Sequence, residues 1–369
     1  MELIPLVDLK KQYQLIKTEI DQAMSEVIEK TAFIQGHYVK TFETEFAEMM
    51  GVRHCISCAN GTDAIYITLK ALGIGLGDEV ITVANTWIST SEAISQTGAT
   101  PIFVDCESEF YTIDVTKIES KITSKTKALI PVHLYGQPAD LQTIQQLCKK
   151  YNLYLIEDCA QAHLAKYKNQ YTSTFGIAGT FSFFPGKNLG AYGDAGAIVS
   201  NDSDFAQKAR RFSQHGALVK HEHEIEGINS RMDGLQAAIL CVKLTYLDDW
   251  TRKRQAHAQL YTHYLKKTPQ VSCPKLREAS SHVFHLYVIQ AENRDKLAQF
   301  LKTKSIVTGR HYPKPLPLLK AYQRFGITAK DIPVANHNKD HILSLPMYPE
   351  LTKEQIKRIS FAISEFYKT

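Results

Sequence analysis

The sequence predicts an α/β protein: a mostly parallel sheet in a large domain, followed by a smaller C-terminal α/β domain. Three observations carry that expectation. Short apolar runs alternate with amphipathic stretches between His54 and Asp202, the pattern of repeated strand–helix units. At 369 residues the chain exceeds what one core usually holds, so two domains are expected. From about Ser272 the texture changes to shorter segments, including the Pro-rich HYPKPLPLL.

Each element follows in order. YQLIKTEIDQAMSEVIEK (13–30) carries apolar residues at helical spacing, and VKTFETEFAEMMG (39–51) is a second helix stopped by Gly51. HCISCANGTDAIYITLKALG (54–73) reads as a strand, a turn and a helix that starts near Gly61 and Thr62. DEVITVAN and PIFVDC are strands with the helical SEAISQTG between them. KALIPVHLYG, LQTIQQLCKKYN and LYLIEDCA repeat strand, helix, strand. GTFSFF and AGAIVSND close the strand series, and FAQKARRFSQHG returns to helix. RMDGLQAAILCVKLTYLDDWTRKRQAHAQLYTHYLKK (231–267) reads as one long helical spine between the domains. The boundary falls within 245–270, giving a large domain over 1–250 and a small one over 251–369.

Composition narrows the function. A formal net charge of +5 with no block of Lys and Arg argues against a nucleic-acid partner. The N-terminus, MELIPLVDLKKQYQ, has no signal-peptide pattern, and no apolar run approaches the roughly 18 residues a membrane span needs. Seven scattered cysteines do not form a secreted disulfide framework. The expected setting is the cytoplasm, away from membranes.

In parallel sheets, ligands gather where strands end. Three groups sit at such ends: Asp158 after LYLIE, the Asn60-Gly61-Thr62 turn, and Lys187 after GTFSFF. A helix N-terminus suits a phosphate, a carboxylate suits a protonated ring nitrogen, and a partly dry lysine can form an imine with an aldehyde. Those are the three handles of pyridoxal phosphate (PLP). Taken singly, each group also fits a plainer role as cap, turn or surface residue, and spacing leaves both readings open.

Beyond these spacings, EDCAQAH, SFFPGKNLGAYGDAGAI, VHLYGQPAD, ANGTDA and GINSRMDGLQAAIL together resemble the DegT/DnrJ/EryC1/StrS family of PLP-dependent nucleotide-sugar aminotransferases. The likeness runs from VDLKKQY to HYPKPLPLL, with the motifs in the same order. It implies the type I (aspartate aminotransferase-like) fold and a homodimer with shared active sites. By motif, Lys187 corresponds to the lysine that bonds the cofactor and Asp158 to the carboxylate facing the pyridine nitrogen. Gln161 corresponds to the side chain near the ring's phenolic oxygen, while Gly61, Thr62 and Ser182 match phosphate-binding positions. Asn229 matches an asparagine that reaches the phosphate from the partner subunit, and Trp87 an aromatic stacked on the ring. The glycines after the lysine, Gly190, Gly193 and Gly196, are expected to let backbone approach the cofactor and turn back into the sheet.

Within the family, KNLGAYGDAGA and Gln161 resemble members acting on 3-keto sugars. The expected reaction moves an amino group from glutamate, through PLP and pyridoxamine phosphate, to C3 of a nucleoside-diphosphate 3-keto sugar. A dTDP-3-keto-6-deoxyhexose is the first choice and a UDP-3-keto-2-acetamido sugar the second, with a 4-keto sugar behind them. His311, Tyr312 and Lys220 are candidate substrate contacts. Three positions depart from the family pattern: Leu164 where glycine is usual, Ala195 where GDGGA is commoner, and Pro317 where histidine is frequent. A non-catalytic regulatory homologue is the reading from another class, and it would be expected to lack Lys187 or Asp158. A PLP-dependent sugar dehydratase would carry histidine in place of Lys187, and a nucleotide-dependent dehydrogenase would carry GxGxxG after its first strand. No metal is expected: His221 and His223 read as a solvated loop, and Cys55 and Cys58 of CISC as core thiols.

Overall fold

A computed structural model of the chain describes residues 2–368. Its strands in chain order are β1 (His54–Cys58), β2 (Glu79–Val83), β3 (Thr100–Val104), β4 (Thr126–Ile130) and β5 (Tyr154–Asp158), then the short β6 (Lys166–Tyr167) and β7 (Gln170–Tyr171), followed by β8 (Ala178–Ser182) and β9 (Gly196–Ser200). A seven-stranded sheet runs β1-β9-β8-β5-β4-β2-β3. Its only antiparallel pairings are those of β9, with β1 and with β8. The other six strands therefore share one direction, and their C-terminal ends lie along a single edge. This is the mixed, mostly parallel sheet of the type I fold.

The helices around these strands are α1 (Leu9–Leu15), α2 (Lys17–Glu29), α3 (His37–Met50), α4 (Gly61–Ala71), α5 (Ser89–Gln96), α6 (Leu141–Tyr151), α7 (Ser203–Ser213), α8 (Gly234–Leu244) and α9 (Leu247–Leu265). The sheet is buried on both faces, as a parallel sheet clad by helices must be. On one face Ile56 and Ile198 pack with Ala64 and Ile67 of α4 and Phe205 of α7. On the other, Cys55 and Val199 pack with Phe42 and Phe46 of α3 and Leu240 of α8. The two cysteines of CISC are thus divided between opposite faces as core thiols.

Two helices are broken where one run was expected. The N-terminal stretch divides at Ile16, whose φ of −122° leaves helical geometry. The long spine divides at Thr245 and Tyr246, where the Thr245 hydroxyl donates back to the Val242 carbonyl at 2.8 Å. A β-branched residue that bonds backward in this way loosens the ladder it sits on. Gly51 stops α3 in the left-handed conformation, φ 66°, where a side chain would be strained.

The C-terminal part holds β10 (Val271–Ser272), β11 (Ser280–Ser281), β12 (Tyr287–Ala291) and β13 (Ile342–Leu345), with α10 (Arg294–Thr303), α11 (Pro333–His341) and α12 (Lys353–Phe366). β10, β12 and β13 form an antiparallel sheet over a separate core of Tyr261, Tyr287, Leu297, Ile359 and Ile363. Ile4 joins that core through a parallel bridge to Ile306, so the N-terminal segment crosses to the C-terminal part. β11 instead pairs with β6, and β6 with β7. Among the described residues, no helix is long and apolar enough to cross a membrane.

Candidate active site

The shared edge of the parallel strands opens on a cavity of about 460 Å³, a size suited to a small-molecule site. Asp158 is the last residue of β5 and Ser182 the last of β8. Gly61 opens α4 just beyond β1, and Trp87 and Thr90 follow β2. His285, His311 and Tyr312 close the cavity from the C-terminal part. Of the residues expected from sequence, Gly61, Thr62, Trp87, Asp158, Gln161, Ser182, Lys187, His311 and Tyr312 all line this one space.

α4 begins with Asn60 as N-cap, its side chain accepting the Asp63 N–H at 2.8 Å. The first-turn N–H groups of Gly61 and Thr62 have no intrahelical acceptor and sit at the positive end of the helix dipole. A Cβ at Gly61 would stand 2.7 Å from the Ser182 Cβ, so glycine alone lets the helix start meet the end of β8. Helix terminus and Ser182 hydroxyl together form a cradle at the cavity wall. The Thr62 hydroxyl is hydrogen-bonded to that of Ser89 at 2.7 Å.

Asp158 is buried, and both of its carboxylate oxygens are held. Thr90 donates its hydroxyl to Oδ2 at 2.7 Å, and the Ala160 N–H donates to Oδ1 at 3.1 Å. Behind it on the strand, Glu157 accepts the N–H groups of Ser173 (2.8 Å), Phe175 (2.7 Å) and Gly176 (3.2 Å). His133 Nδ1 accepts the Ala139 N–H, so its Nε2 carries the proton and donates to Glu157 at 3.1 Å. These bonds anchor the end of β5 from below. Gln161 is oriented as firmly: its Oε1 accepts the Tyr135 N–H at 2.6 Å and its Nε2 donates to the Tyr312 hydroxyl at 3.1 Å.

Lys187 follows a turn in which its own N–H donates to the Phe184 carbonyl at 2.8 Å. Burial pulls its ammonium down to about 8, with Asp158 pulling the other way. Burial, with the Lys187 charge second, depresses the nearby imidazoles further: His163 to about 3, His311 to about 4, and His285 well below its ordinary value. Near neutral pH the basic nitrogen that changes state beside Asp158 is therefore that of Lys187.

The glycines after Lys187 act differently from the expectation. None has a positive φ, and each admits protein backbone or side chain rather than open cavity. A Cβ on Gly190 would come within 2.3 Å of the Pro185 carbonyl, one on Gly193 within 3.1 Å of Gln236, and one on Gly196 within 2.4 Å of the Asn60 backbone. Close packing of the chain on itself is their reason. Leu164, where the family usually has glycine, sits at φ 65°, which explains that preference.

Lys220 and Asn229 lie outside this chain's cavity. Both are exposed, on a hairpin whose strands meet at Ala217–His223 and Gln214–Asn229. Trp87 exposes its ring at the cavity wall, 5.6 Å from that of Tyr312. Thr90, Asp194 and His285 also line the cavity and were missed in the sequence. Thr90 closes the NTWIST turn and was findable as a strand-end hydroxyl; His285 carries no motif.

The sequence profile of the DegT/DnrJ/EryC1/StrS aminotransferase family matches residues 14–364. The chain belongs to this family. A "Pleiotropic regulatory protein" of Geobacillus stearothermophilus is 45% identical, with 99% of each chain covered. The dTDP-3-amino-3,6-dideoxy-alpha-D-galactopyranose transaminase of Aneurinibacillus thermoaerophilus is 42% identical, again over 99% of each. The crystal structure of S. venezuelae DesV in complex with a ketimine intermediate superposes with a TM-score of 0.98 at 37% identity, over the whole of both chains. The protein is thus an aminotransferase of the PLP-dependent kind. The residues present fit that cofactor: a cradle for its phosphate, a fixed carboxylate, and an amine of lowered basicity.

Proposed function

We propose that the protein transfers an amino group from glutamate to C3 of a nucleoside-diphosphate 3-keto sugar, with dTDP-3-keto-6-deoxyhexose as the first choice. The observation that carries the chemistry is the convergence of Lys187, Asp158 and the Gly61–Ser182 cradle on one cavity. When bound, PLP takes up the amino group, delocalises the electrons of the broken C–H bond and yields the amino group to the sugar. The α4 N-terminus and Ser182 would hold the phosphate, and Asp158, aimed by Thr90, would pair with the ring nitrogen. The second N–H of the Gln161 amide, the first being given to Tyr312, would be free for the ring oxygen. Lys187 would hold the cofactor at rest, and its free amine, lowered to about 8, would suit taking up and returning the substrate's proton. His311 and Tyr312 face the sugar.

In the same proposal the working unit is a homodimer in the cytoplasm. Exposed Asn229 and Lys220, outside their own cavity, suit a neighbour's phosphate and diphosphate. Seven free thiols fit a reducing compartment. The division into 1–250 and 251–369 is supported by the separate core around Tyr261 and Tyr287.

Incubating the pyridoxamine form with dTDP- and UDP-linked 3-keto and 4-keto sugars, then identifying products by mass and NMR, tests carbon and nucleotide together. A product aminated only at C4 overturns the C3 assignment. The name of the Geobacillus relative favours a second reading, regulation without catalysis. It would hold if the loaded protein failed even the glutamate half-reaction, keeping its visible band when glutamate is added.

A further inference from the structure

His285 sits at the cavity wall just before β12 and has no part in the scheme above. Its hydrogen-bond partner is the buried Asn188, the residue after Lys187. Asn188 donates its amide Nδ2 to the Val283 carbonyl at 3.1 Å, which turns its Oδ1 toward His285. His285 Nδ1 lies 3.2 Å from that oxygen. An amide oxygen only accepts, so Nδ1 must carry the proton, and a neutral ring then has a bare lone pair on Nε2. Among the described residues, none hydrogen-bonds Nε2.

Other neutral acceptors on the cavity wall are already engaged in part. Gln161 Oε1 takes the Tyr135 N–H, and the Thr62 and Ser89 hydroxyls bond each other. Burial and the charge of Lys187 keep the ring unprotonated near neutral pH. A fixed lone pair of this kind, left unpaired at the wall of the cavity that Lys187 also lines, calls for a neutral donor, and sugar hydroxyls are the donors a nucleotide sugar brings.

We infer that His285 accepts a hydrogen bond from a hydroxyl at the reacting end of the sugar, with Asn188 holding its ring in the tautomer that leaves Nε2 bare. The inference rests on the nucleotide-sugar reading above. It makes His285 a specificity-determining residue: a sugar lacking that hydroxyl would leave the lone pair unpaired.

The test is calorimetric binding of unreactive probes to the pyridoxamine phosphate-loaded protein. dTDP-glucose is compared with dTDP, and UDP-N-acetylglucosamine with UDP, in wild type, His285→Phe and His285→Gln. In His285→Phe the tightening due to the sugar should shrink about 3–10-fold, while affinity for the bare nucleoside diphosphate holds. His285→Gln, which offers a carbonyl oxygen near the place of Nε2, should restore most of it. Equal sugar increments in wild type and His285→Phe overturn the inference alone, as does an equal loss for nucleotide and nucleotide sugar. Wild type that binds neither nucleotide sugar overturns the nucleotide-sugar reading, and the inference with it.

Discussion

Lys187 should capture pyridoxal phosphate at a pH where an ordinary lysine is inert. Only the uncharged amine attacks an aldehyde, so the capture rate follows the neutral fraction. With its ammonium lowered to about 8, roughly a quarter of Lys187 is uncharged at about pH 7.5. At the ordinary value of 10.5 the fraction would be about one part in a thousand, some 200-fold less. The sign of the Asp158 effect also follows: its negative charge favours the ammonium, so Asp158→Asn should move the midpoint below that of wild type. The assay mixes cofactor-free protein with pyridoxal phosphate in a stopped-flow instrument and follows the visible band between about pH 6 and pH 10.5. The same rates with Nα-acetyl-lysine amide divide out the cofactor's own ionisation. A wild-type midpoint near 10.5 would refute the burial argument, and an upward shift in Asp158→Asn would refute the charge argument.

Other perturbations have defined outcomes. Thr90→Val removes the hydroxyl donor to Asp158 Oδ2; losing a hydrogen bond to a charged group costs about 1.5–3 kcal/mol, so kcat/KM should fall about 10–100-fold with little change in Tm. Glu157→Gln puts an amide NH₂ among N–H donors and should cost about 3–5 kcal/mol in denaturant unfolding; a loss below about 1 kcal/mol would mean that Glu157 does not anchor β5. Leu164→Gly relieves about 1–2 kcal/mol of left-handed strain but gives up a buried side chain worth about 2–5 kcal/mol, so the variant should be less stable in denaturant. A stabilised variant would show that strain outweighs packing there.

Much of this was readable before any coordinates. Each strand of the main sheet stands where an apolar run ended at Gly, Pro, Asn or Asp, because a strand buried on both faces leaves a dense apolar signature. Lys187, Asp158 and Gly61 were findable because parallel strands put their ends on one edge, whereas Ser182 came from the family resemblance. What escaped depends on contacts between distant segments. His285 matters through Asn188, nearly a hundred positions away, and no periodicity marks such a pair. Thr90 matters through the carboxylate of Asp158. The breaks at Ile16 and Thr245 lie within runs whose apolar spacing continues across them, so pattern alone joined them. Gly190 and Gly196 show the converse: their importance was visible, but the partner that excludes a side chain was the chain itself.

The most direct test of the account is to fix the bond between cofactor and protein. Purified protein loaded with pyridoxal phosphate is reduced with borohydride, digested and sequenced by mass spectrometry. A phosphopyridoxyl group on Lys187, absent once glutamate has bleached the visible band beforehand, is the expected result. A label on any other lysine, or a reduced protein with none, would contradict it.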